Sequence, residues 1–142
     1  MRDLMNNITP KVVIAPPAAA ATDNTAQVGS IVDVAGYDSL TFIIATGTLA
    51  DADATFAVLV EEGAASNLSD AAAVDDKDLI GTEALAGFTF AADGAARKIG
   101  YKGGKRYVRL TVTPSGNTGN APLSAIALLG HPRSAPTANP PA

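Results

Sequence analysis

The chain has 142 residues, no cysteine and a formal charge of −4, which is one domain's worth of sequence and excludes disulfides, thiolate catalysis and cysteine-ligated zinc. Apolar residues make up 47% but Phe, Trp and Tyr only 5%, so the core must come from Val, Ile, Leu and Ala, set in short bursts between Gly, Pro and Thr as strands joined by turns. No run approaches the ~20 apolar residues of a membrane helix, and "VVIA" before Pro16 and Pro17 falls short of the roughly 7 to 15 residues of a secretion signal, so no cleaved leader is expected.

Residues 1–26 read as an extended arm. Pro10, Pro16, Pro17 and the alanines Ala18 to Ala21 show no period of 2 or 3.6, and proline cannot donate to a ladder. The arm's apolar residues Leu4, Met5, Ile8, Val12, Val13 and Ile14 are expected to contact another chain. A β-sandwich domain is expected over 27–130. "QVGSIVDV" leads through the turn "AGYDS" to "LTFIIATG", where Leu40, Phe42 and Ile44 alternate with Thr41, Ile43 and Ala45; apolar residues on both faces suit a strand buried on both sides or lying at a subunit contact. In "TFAVLVEEG", Phe56, Val58 and Val60 share one face.

The segment "ASNLSDAAAVDDKDLIGT" holds the one expected helical turn, capped by Asn67 or Ser69. Short strands follow at "GFTF", "RKIGY", "RYVRLTVT" and "LSAIALLG"; in the third, Val108, Leu110 and Val112 face inward and Tyr107, Arg109, Thr111 and Thr113 outward. Some eight short strands predict an all-β, antiparallel, jelly-roll-like sandwich. Residues 131–142, rich in proline, read as an extended tail.

Charge is split along the chain. Residues 1–93 carry all fourteen acids and three bases, whereas residues 94–142 carry seven bases and no acid. Six of the bases, Arg97, Lys98, Lys102, Lys105, Arg106 and Arg109, lie in or beside "KIGYKGGKRYVRLTVTPSG". This stretch reads as a hairpin turned by Gly103 and Gly104, with a basic outer face that meets carboxylates of a neighbouring subunit or of its own fold. A phosphate loop is excluded, because Gly104-Lys105 is followed by Arg106 and Ile99 stands at the first glycine position. Nucleic-acid binding, with Tyr101 and Tyr107 as stacking platforms, is disfavoured by the negative net charge.

Other chemistry finds little footing. Asp51, Asp53 and Glu62 match three positions of a calcium loop, but Phe56 replaces its glycine. His131 is the only histidine, too few nitrogen ligands for zinc and without a nucleophile motif for a triad. Glu61 and Glu62 are adjacent and should point to opposite faces. No metal, cofactor or enzymatic activity is expected.

The pieces "YDSLTF", "LADADATF", "KRYVRLT" and "LGHP", and about four fifths of the chain around them, resemble a group of small virion proteins of tailed bacteriophages and prophages. Some related β-sandwich proteins serve as capsid decoration, or cement, proteins. The resemblance implies a non-enzymatic structural protein made in the host bacterial cytoplasm and carried on the capsid surface. Its implied partners are the major capsid protein and further copies of itself, with neither nucleic acid nor membrane; the charge split suggests a trimer in which the acidic half of one copy faces the basic hairpin of the next. A tail, fibre or head-to-tail connector subunit, or a carbohydrate-binding module resting on Tyr37, Tyr101 and Tyr107, is the alternative.

Overall fold

A computed structural model describes residues 3–16 and 21–141; Pro17 and alanines 18–20 of the expected arm lie outside them. The strands are β1 (Ile8–Ile14), β2 (Gln27–Val28), β3 (Val32–Asp33), β4 (Tyr37–Thr46), β5 (Thr55–Gly63), β6 (Ala72–Ala73), β7 (Leu79–Ile80), β8 (Phe88–Thr89), β9 (Ala96–Tyr101), β10 (Tyr107–Ser115) and β11 (Leu123–Pro132), with one α-helical turn, α1 (Glu83–Ala86), and 3-10 turns at Met5–Asn7 and Asp76–Asp78. They form two antiparallel sheets. One runs β1-β11-β4-β9-β7; the other runs β2-β10-β5-β6, with β3 on β10 and β8 on β5.

The pairing has a simple logic. Strands of the first half meet those of the second in reverse order: β1 with β11, β2 and β3 with β10, β4 with β9, and β5 with β8. This is a long antiparallel hairpin rolled into a sandwich, the jelly-roll arrangement. It follows that the acidic half of the sequence is laid against the basic half within one molecule.

Period-2 patterning builds the core. Leu40, Phe42 and Ile44 of β4, Phe56, Val58 and Val60 of β5, Val108, Leu110 and Val112 of β10, and Ala125, Ala127 and Leu129 of β11 are all buried. Phe56 and Phe88 stack with centroids 4.7 Å apart, fastening the two-residue β8 to β5. The small Ala125 and Ala127 lie beside Ile44 and Phe42 on the inner face of their sheet, where they let larger neighbours pack.

Three expectations change. First, residues 8–14 are sheet, not arm: β1 pairs with β11 from Ile8↔Gly130 to Ile14↔Ala125, and a register shift between Val12 and Ile14 turns both Val13 and Ile14 into the core. Pro10 is tolerated because β1 is an edge strand, where a missing N–H costs no ladder bond. The domain therefore takes in part of the segment read as arm. Removing residues 1–20 would strip a strand from the sandwich rather than trim a loose end.

Second, the segment 65–82 forms no helix at Asn67 or Ser69. Asn67 Oδ1 accepts the Ser69 N–H, and the Asp70 carboxylate accepts the Ala64 and Ala65 N–H groups; such side-chain bonds take the donors a helix would use. Helical turns appear later, as a 3-10 turn at Asp76–Asp78 begun by Asp75 and as α1, capped by Thr82. Third, the tail is tied down in part. Thr137 donates its N–H to the Asn6 carbonyl at 3.0 Å and its Oγ1 to the Ile8 carbonyl at 2.7 Å.

Loop carboxylates make the fold acid-sensitive. The Thr118 hydroxyl, followed by the N–H groups of Asp53 and Thr118, holds the Asp51 carboxyl below its ordinary pKa, and the N–H groups of Ala64 and Ala65 do the same for Asp70. A depressed carboxyl stabilises the folded state fully above its unfolded value near ~3.9 and loses that contribution as pH falls through its folded value. Urea midpoints of the wild type should thus fall below about pH 4, whereas Asp51→Asn and Asp70→Asn start lower at neutral pH and fall less steeply in acid. Equal acid slopes in all three proteins would remove these carboxylates from the account.

Candidate interaction surfaces

The basic stretch is a crossover between sheets, not a hairpin. β9 belongs to the β1-β11-β4-β9-β7 sheet and β10 to the other, so residues 102–106 arch over the end of the sandwich. Neither Gly103 nor Gly104 has a positive φ. Gly103 is required for a different reason: a Cβ there would stand 2.6 Å from the Tyr101 ring and 2.7 Å from Glu62 Oε2. The arch is wrapped around the Tyr101 hydroxyl, which donates to Glu62 Oε2 at 2.5 Å and accepts the Lys105 N–H at 2.9 Å. Tyr101 is buried and holds its proton well above the usual phenol range, first because burial disfavours the phenolate and then because Glu62 accepts its hydrogen bond.

Two of the expected contact cations are already engaged. Arg106 binds Asp33 through two nitrogens, at 2.9 and 2.8 Å, and its guanidinium lies 5.3 Å from the Tyr107 centroid. That contact with Arg106 holds the Asp33 carboxyl below its ordinary value. Half-buried Arg109 sends Nε and Nη2 to Glu61 Oε2, at 3.1 and 2.8 Å across paired strands. Arg133 reaches Asp38 at 3.1 Å. All three pairs join the acidic half to the basic half, so the jelly roll itself consumes much of the charge split. The exposed pairs, Arg106–Asp33 and Arg133–Asp38, add little to stability because water and salt screen them.

Lys102 and Lys105 remain exposed on the arch. With Arg106, Arg133, Tyr37 and Asp38 they border an open cleft of about 470 Å³ between the arch and residues 34–40. Its lining carries four bases, Lys102, Lys105, Arg106 and Arg133, and one acid, Asp38; Arg133 is paired with Asp38 and Arg106 with Asp33, so two of the four cations are already partly neutralised. Tyr101, being buried, offers no ring face for stacking on bases or sugars. Arg97 is half-buried, and its Nε has no hydrogen-bond partner among the described residues.

The remaining chemical candidates separate in space. Asp51 is spent on Thr118 and Asp53 before β5 begins, while Glu62 meets Tyr101 at the far end of β5. Glu61 and Glu62 do point to opposite faces, one to Arg109 and the other to Tyr101. His131 Nδ1 lies 2.9 Å from Ser39 Oγ, but among the described residues no carboxylate bonds its other ring nitrogen, as a triad requires. No group of three or more His, Cys, Asp or Glu gathers around a metal-sized space among the described residues.

Sequence reading caught a further apolar surface only in part, through the two apolar faces of β4 and through Val12. Cross-strand register aligns Val12, Ile126, Ile43 and Lys98 in one row over β1, β11, β4 and β9, and Pro10, Leu128, Thr41 and Gly100 in the next, with Ile80 of β7 beyond. These positions face away from the core: Val12 is 59% exposed, Ile80 61% and Ile126 39%. Lys98 is the only charge on the two rows. The opposite sheet's outer face is mixed: Arg109, Thr111 and Thr113 of β10 and Thr55 and Glu61 of β5 share it with Ala57 and Leu59 of β5 and with Val28 of β2, which is 56% exposed. Continuous with the apolar face through Ile8 and Pro10 is a cleft of about 400 Å³, lined also by Leu4, Met5, Ala138 and Pro141. Leu4 and Met5 flank it in the open, 64% and 58% exposed.

The edge of β1 is, by contrast, closed. Thr137 takes the Ile8 carbonyl, the Ser30 N–H takes the Val13 carbonyl at 2.8 Å, and Pro10 between them has no N–H. Addition of a further strand there is blocked. Of the arm residues named as contacts, Val13 and Ile14 belong to the core, while Leu4, Met5, Ile8 and Val12 surround the cleft and the face. A scan against protein-family models and a search of curated proteins each find no match to this chain.

Proposed function

We propose that this is a non-enzymatic structural protein of a tailed-phage virion, a decoration protein that binds the outer head surface of the major capsid protein and strengthens contacts between capsomers. Two things support the reading: the resemblance of "YDSLTF", "LADADATF", "KRYVRLT" and "LGHP" to phage virion proteins, and an apolar cleft where both ends of the described chain clasp the sandwich. The cleft is the observation that carries it. Leu4 and Met5 stand outside the core, so their exposure serves contact with something else rather than folding.

A sandwich of this kind acts as a rigid block. Its long strands are paired on both sides, so little conformational entropy is lost when it docks. Purified protein mixed with heads lacking it should bind saturably, as read by sedimentation and by cryo-EM of the particles. Leu4→Ser with Met5→Ser should lower occupancy at least tenfold, the order expected for losing two buried apolar side chains, while leaving the thermal midpoint within a few degrees. Density at the portal or tail instead of the shell would transfer the protein to the connector or tail class. Full occupancy by the double variant would take the cleft out of the contact.

A further inference from the structure

We infer that the apolar outer face of the β1-β11-β4-β9-β7 sheet is a self-association surface, on which a second copy of this chain stacks face to face. The inference does not rest on the phage reading. Its first ground is the contrast between the two outer faces. One carries the cross-strand ion pair Arg109–Glu61 together with Thr111, Thr113 and Thr55, and its apolar members, Val28, Leu59 and Ala57, are interrupted by these polar groups. The other presents Val12, Ile126, Ile43, Leu128, Pro10 and Ile80, with no acid among them. Large contiguous apolar patches on a soluble fold mark contacts.

Its second ground is size. At about 4.8 Å between strands and about 3.3 Å per residue, the four strands β1, β11, β4 and β9 present roughly 520 Å² of sheet on that face. Two such faces together remove about 1,040 Å² from solvent, which meets the ~1,000 Å² that a specific interface requires. Stacked sheets pack about 10 Å apart by interlocking side chains such as these.

Its third ground is charge. The charge-split trimer relied on acids of one copy meeting the basic stretch of the next, but Asp33, Glu61 and Asp38 meet Arg106, Arg109 and Arg133 inside one chain. On the apolar face the one charge, Lys98, lies at the β9 side. A two-fold axis parallel to the strands, between β11 and β4, puts the two Lys98 residues on opposite flanks, each with its stem over the partner's Val12 and its ammonium in water. Strand-edge pairing is not available as a substitute, since the β1 edge is closed by Thr137, Ser30 and Pro10.

The test is sedimentation equilibrium of the purified full chain from about 1 to 500 μM, the upper range at which interfaces of this size associate. The wild type should be a dimer whose association is unchanged between 0.1 and 1 M NaCl, because apolar contacts are not screened. Ile126→Lys should weaken dimerisation at least tenfold, whereas Thr113→Lys on the opposite face should not change it. Circular dichroism melts of both variants establish that they fold. A wild type that stays monomeric throughout overturns the inference, and so does a trimer that dissociates in salt. A dimer indifferent to Ile126→Lys, or a monomer whose binding to heads is abolished by it, also overturns it; the latter assigns the face to the shell.

Discussion

Replacing Phe42 with alanine should cost about 3–5 kcal/mol of folding stability, a large part of the ~5–15 kcal/mol available to a domain of this size. Phe42 is fully buried on β4, the strand that bridges β11 and β9. The chain has only four phenylalanines, and the residues around this one include Ala125 and Ala127, which are too short to reach into a void. The cavity term therefore adds to the lost transfer energy. Urea denaturation should show a lower midpoint with an unchanged slope. Thr113→Ala, on a solvent-facing position of β10, should stay within about 0.5 kcal/mol of wild type. Equal losses at the two positions would mean that the inward and outward faces are exchanged.

Tyr101→Phe should cost about 1–3 kcal/mol, although it deletes a single oxygen. That oxygen gives Glu62 its donor and the Lys105 N–H its acceptor, and burial keeps water from replacing either. The variant also has a distinctive pH signature. The folded state holds the phenol proton more tightly than the unfolded chain does, so the stabilisation is complete below the unfolded phenol pKa near ~10 and is lost as pH rises above it. Wild-type midpoints should drop beyond about pH 10 more steeply than those of the variant. Parallel alkaline slopes would disconnect Tyr101 from the arch.

The long strands were legible because each has one dry face. Alternation in "LTFIIAT", "TFAVLV" and "RYVRLTVT" marks β4, β5 and β10 to within a few residues, and their inward residues are the ones that became core. What alternation does not state is which sheet a strand joins. Gly103-Gly104 between β9 and β10 has the look of a hairpin, yet the buried Tyr101 hydroxyl, held by Glu62 of β5, sends the chain across to the other sheet. Such contacts lie far apart in sequence and leave no local trace. The same holds for β1, where Pro10 argued against a strand although an edge position accommodates it.

The candidate surfaces were legible to different degrees. Apolar residues on both faces of β4 did suggest a contact, and Ile43 lies on the apolar outer face. Its continuation through Val12 and Ile126 depends on cross-strand register, which only the fold supplies. The basic stretch stood out by composition but misled by it. Ion partners at Asp33, Asp38 and Glu61 lie some fifty to a hundred positions away from their arginines, beyond any spacing rule.

The reverse-order pairing also sets a timetable. Val12 has its partner at Ile126, so β1 stays without a ladder from the moment it leaves the ribosome until β11 has followed. Closing so large a loop costs several kcal/mol of chain entropy before the contact returns anything, and chains dominated by such contacts fold in milliseconds to seconds rather than microseconds. In that interval β1 is an unpaired strand whose Val12, Val13 and Ile14 are all open to proteases and to other nascent chains. The seam between β1 and β11 is thus the last part of the sheet to close during synthesis.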